Sequence, residues 1–122
     1  MRYYIEITIG RHTERIDGDH DYNPKLSGVS PCDELMSIVK SAVPAEVLMA
    51  RGHAAEIRDA NERWEVIRHD ADWHMAKHVD LRLLVSEYDG SHAAIRGDIL
   101  ERGKMVGDFY ATAYGEGVTS RA

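Results

Sequence analysis

A single cysteine, Cys32, is all the thiol chemistry in this 122-residue chain, so no internal disulfide can close and no Cys-x-x-Cys knuckle can hold zinc. That scarcity suits a reducing compartment. Long apolar runs are also missing, and a helix needs about 20 consecutive apolar residues to span a bilayer. The opening residues Met1-Arg2-Tyr3-Tyr4-Ile5-Glu6 lack the apolar stretch of a secretory signal. The expectation is a cytoplasmic protein with no membrane contact. Basic charge is short as well: 15 Lys and Arg stand against 21 Asp and Glu, for a formal net charge of −6. Phosphate backbones are bound by clustered Lys and Arg, yet Arg58, Arg63 and Arg68 are interleaved with Asp59, Glu62 and Glu65. Nucleic acid is therefore disfavoured as a partner. The glycines at 10, 18, 28 and 52 are isolated, which excludes a phosphate loop or dinucleotide fingerprint, and no Gly-x-Ser-x-Gly elbow occurs.

What remains is ordinary for one globular domain spanning 1–122, with 43% apolar and 30% charged residues. Histidine appears seven times, and protonating every copy would carry the formal charge from −6 to +1. Association could then respond to pH between about 5 and 7. The plainer reading is a set of solvated surface histidines.

Residues 2–9 alternate Tyr3, Ile5, Ile7 and Ile9 with Arg2, Tyr4, Glu6 and Thr8, the period of a half-buried strand. Gly10-Arg11 suits a type II′ turn, with a polar return strand over 12–16. Turn formers fill 17–30, which reads as a loop. Ser30-Pro31-Cys32-Asp33 supplies a capping hydroxyl, a proline at the first helical position and a carboxylate three residues after the cap. The spacing of Leu35, Ile38, Val39 and Ala42 predicts a helix over 31–42, with Pro44 disfavouring its continuation. Glu46 to Arg51 reads as a buried strand over 45–51, and residues 54–68 as a second helix. His69 to Val79 is open between helix, loop and strand. Residues 80–114 show alternation and turn glycines again, predicting a C-terminal meander, and Gly115 to Ala122 should fray. The fold class is α+β: an antiparallel-rich sheet of about five to six strands with two helices on one face.

Three constellations carry candidate chemistry. Asp70, His74 and His78 are spaced by four, so a helix would stack them on one face close enough to share a metal, zinc being the fitting ion. A strand would instead hold His74 and His78 roughly 13 Å apart. The same residues are the catalytic candidates, although no glutamate completes a zinc-protease motif; the competing reading is a hydrated turn. Asp17, Asp19 and Asp21 mimic the start of a calcium loop, but Tyr22 and Gly28 stand where its glycine and glutamate belong. Cys32 sits where a helix N-terminus favours a thiolate, yet it shares a stripe with Leu35, Met36 and Val39 that would bury it. No cofactor is otherwise expected.

Six tyrosines against one phenylalanine shape the functional expectation. Tyr110 and Tyr114 share a strand face with Val106, opposite Phe109, Ala111 and Ala113. With Tyr88 and Tyr22 they are the candidate partner-binding residues, since tyrosine suits interfaces. The leading reading is a small non-catalytic binding or assembly protein, homo-oligomeric through the meander; its specific form is an accessory or inhibitor protein of a bacterium or phage. Alternatives are a small His/Asp-dependent enzyme of hydrolase or isomerase type, and a small-ligand-sequestering protein with 17–30 as a lid.

Overall fold

The alternation of residues 2–9 produces the strand that it predicts. In the computed structural model, which describes residues 1–50 and 78–119, β1 spans Arg2–Ile9 and buries Ile5 and Ile7 completely. Gly10 and Arg11 reverse the chain with Gly10 at φ 61°, the sign a type II′ turn requires at its first central residue. β2 returns over His12–Asp19, past the expected end at residue 16. Asp17 and Asp19 therefore pair with Tyr4 and Arg2 inside a sheet and do not head a cation loop. The loop expected over 17–30 is further shortened by one helical turn, α1, at Pro24–Ser27. Asn23 Oδ1 accepts from the Lys25 N–H at 3.0 Å to open that turn, and Gly28 at φ 70° closes it.

Helix α2 begins where the capping residues place it, with Ser30 Oγ accepting from the Asp33 N–H at 3.2 Å. It does not stop at residue 42. It spans Pro31–Ala50, straight through Pro44, so the strand expected over 45–51 is replaced by helix through residue 50. A proline inside a helix costs about 3 kcal/mol through its missing N–H and its ring clash. Leu35, Val39, Val43 and Val47 nevertheless form an i, i+4 row that is at most 2% exposed. Burial contributes about 1.5–3 kcal/mol per side chain of this size. Val43 and Val47 together thus offset the proline. The helix expected over 54–68 lies outside the described residues.

From His78 the chain enters the meander: β3 at Val79–Tyr88, β4 at His92–Glu101 and β5 at Lys104–Tyr114. The sheet order is β2-β1-β5-β4-β3, with every pairing antiparallel. One face carries Ile5, Ile7, Ile95, Ile99 and Phe109 into a core shared with α2. The α+β class with an antiparallel sheet is as the pattern predicts. Arg102 and Gly103 join β4 to β5 with φ 52° and 82°, two positive values as in a type I′ turn. No helix among the described residues is long and apolar enough to cross a membrane.

Two register shifts re-aim side chains. Leu83 pairs with Gly97 and Val85 with Arg96, so Leu84 is an extra residue in β3. Ile99 pairs with Gly107 and Leu100 with Met105, which makes Val106 the extra residue in β5. Val106 consequently packs against the core and leaves the face of Tyr110 and Tyr114. The segment after β5 does not fray at once. Gly115 O accepts from the Val118 and Thr119 N–H groups at 3.1 and 3.0 Å, and Val118 is fully buried.

Asp89 organises the β3–β4 turn. Its Oδ1 accepts from the N–H groups of His92 at 2.7 Å and Ser91 at 2.9 Å, and from Ser91 Oγ at 3.0 Å. These donors, the His92 N–H foremost, hold its carboxyl down at about 2. A depressed folded-state value means that the contribution is complete above the ordinary 3.8 and disappears as pH falls through about 2. In a carboxyl NMR titration we expect a midpoint near 2, moved toward 3.8 in Ser91→Ala. A wild-type midpoint at the ordinary value would mean that the turn does not hold these bonds in solution.

Candidate functional site

The four tyrosines proposed for partner binding do not share a surface. Tyr110 and Tyr114 stand on the sheet face away from α2, 44% and 46% exposed. Tyr110 lies opposite Glu6 and Arg96, while Tyr114 lies opposite Arg2 and His92, its ring centroid 5.9 Å from the imidazole. Tyr4 joins them there and donates to Glu6 Oε2 at 2.8 Å. Tyr88 pairs with the core residue Ala93 and so faces the helix side, where its hydroxyl donates to Val118 O. Tyr22 is buried and donates to Val29 O, and loss of contact with water raises its phenol above the usual range. Tyr22 therefore serves packing, whereas Tyr88 stays 41% exposed; both hydroxyls are satisfied by backbone carbonyls.

Asp70 and His74 lie outside the described residues. His78 is an exposed turn residue whose carbonyl accepts from the Arg102 N–H at 3.0 Å. Cys32 packs against the core but is only half-buried, where its stripe predicts burial; its thiol donates to Glu87 O at 3.4 Å and ties α2 to β3.

A different cluster is the densest grouping of metal-capable side chains among the described residues. His12 and Glu14 are two apart on β2 and sit opposite Ile9 and Ile7, so strand alternation turns both toward α2. Glu46 comes down from α2 between Val43 and Val47 and is 0% exposed. His12 Nε2 lies 2.9 Å from Glu46 Oε2. One donor atom from each of His12, Glu14 and Glu46 lies within 4.8 Å of the others. A carboxylate removed from water is costly unless charge and hydrogen bonds compensate it, and the imidazole answers part of that need. Beside the cluster opens a pocket of about 580 Å³, lined by Ile9, Gly10, Arg11, His12, Val47 and Met49 among others. His12 belongs to both features.

No protein-family model, no curated protein and no solved structure matches the chain.

His12 and Glu14 carry a readable signal, since residues i and i+2 of a strand share a face. Glu46 carries none, because a strand reading of 45–51 separates it from any helix face. The association of 12 with 46 is made only by packing.

Proposed function

We propose that this protein is a non-catalytic assembly protein that pairs with a second copy of itself along the outer edge of β3. The observation that carries the reading is the contrast between the two sheet edges. β2 presents Arg15, Asp17 and Asp19 to solvent, the charged edge that discourages pairing. β3 is ten residues long, has no strand on its outer side among the described residues, and leaves Leu83 and Leu84 42% and 58% exposed. Asp80, Arg82 and Glu87 are exposed here too, so what sets this edge apart from β2 is its length and its two exposed leucines, which make it a template for another strand.

A two-fold axis passing between Leu84 and Val85 makes this edge self-complementary. It sets Arg82 opposite Glu87 of the second copy, Leu83 opposite Ser86 and Leu81 opposite Tyr88. The Leu84 bulge keeps each of those pairs on one face: Arg82 and Glu87 sit opposite Asp98 and Ala94 on the outer side, while Leu81, Ser86 and Tyr88 sit opposite Ile99, Ile95 and Ala93 on the helix side. The symmetry repeats the Arg82–Glu87 pair twice. Tyr110 and Tyr114 remain uncovered in that arrangement, available for a further protein partner.

Size-exclusion chromatography with light scattering tests the reading. We expect about twice the 13.8 kDa chain mass at high micromolar concentration. Leu84→Lys should give a monomer with an unchanged circular-dichroism spectrum, because Leu84 is outside the core, and Tyr110→Ala should leave the dimer intact. A monomeric wild type, or a dimer lost in Tyr110→Ala and kept in Leu84→Lys, overturns it.

A further inference from the structure

We infer that His12, Glu14 and Glu46 form a binding site for one divalent first-row transition metal, zinc first among them. The donor set is one imidazole and two carboxylates, a nitrogen and oxygen combination that suits this class of ion. Zinc bonds of about 2.0–2.2 Å place neighbouring tetrahedral donors about 3.4 Å apart. Three donor atoms already mutually within 4.8 Å, one pair at 2.9 Å, need only small rotamer changes to reach that spacing. The supports are rigid in the required sense: His12 and Glu14 ride on a paired strand, and Glu46 rides on a helix whose neighbours Val43 and Val47 are at most 2% exposed.

Two further observations separate this cluster from a surface ion pair. Glu46 lies wholly out of contact with water, where its interaction with a dication is little screened. The adjoining pocket of about 580 Å³ reaches His12, which leaves an approach for the ion and an open position for water or a small ligand. Arg11 at the same opening suits an anionic ligand as the fourth donor. The metal binds between β2 and α2, at the sheet edge opposite β3, so its test is independent of self-association.

The test uses the full chain without a histidine tag, stripped with chelator and titrated with zinc chloride by isothermal calorimetry, with cobalt(II) absorption as a second readout. We expect one ion per chain, a raised melting temperature, and d–d bands of a low-coordinate cobalt site. Glu14→Gln and His12→Asn should each weaken binding at least tenfold. Glu14 is only half-buried, so its variant is informative even if a Glu46→Gln chain fails to fold. Absence of binding by the wild type overturns the inference. So does binding of undiminished strength in both Glu14→Gln and His12→Asn, which would place the ion elsewhere.

Discussion

Phe109→Ala is expected to lower the free energy of unfolding by about 3–5 kcal/mol, against a total of roughly 5–15 kcal/mol for a domain. Phe109 heads the largest fully buried side chains and lies on β5, the middle strand of the sheet, opposite Ile7 on one side and Gly97 on the other. Its removal leaves a void between α2 and three strands that the paired backbone cannot close. Phe109→Leu retains part of the volume and should cost distinctly less. Urea denaturation followed by circular dichroism measures both. A loss below about 1 kcal/mol for the alanine variant would show that the ring does not fill the core.

Gly97→Ala has the next largest expected effect, from the opposite fault. A methyl group at this position would stand 2.1 Å from the Arg82 carbonyl oxygen and 2.8 Å from Phe109 Cζ. Neither approach is tolerable, and the first is to backbone at the β3 register shift, where no side chain can turn aside. Overpacking costs typically about 1–3 kcal/mol and sometimes more, and the upper end is expected here. Combining Gly97→Ala with Phe109→Leu separates the two contacts. The smaller side chain should recover part of the cost, leaving the part due to the carbonyl. Strict additivity of the two substitutions would mean that the ring does not rest on Gly97.

Much of the architecture follows from short-range chemistry. Alternation in 2–9 and 80–114 predicts the strands because a pleated segment buries every second side chain. Ser30 and Pro31 mark the start of α2 because a hydroxyl cap and a preset φ favour one helix position. Gly10 and Gly103 mark turns because only glycine enters positive φ without strain.

Other features depend on contacts between distant residues. Pro44 is a local stop signal, overruled once Val43 and Val47 find the sheet. The extra residues Leu84 and Val106 shift the period of two strands, and that slip sends Tyr88 to the helix side and parts Val106 from Tyr110. No count along the chain reveals a bulge, since its position depends on the strand alongside.

The His12–Glu14–Glu46 cluster shows the same division within a single site. Strand periodicity by itself puts His12 and Glu14 on one side of β2. Glu46 reaches them only because α2 continues past its proline and lies across that side, bringing together residues 34 positions apart. Local steric and hydrogen-bonding preferences therefore determined the strands, the turns and the helix start. The helix end, the facing of the tyrosines and the grouping of the donors were decided by burial of apolar surface, which no short window of sequence contains.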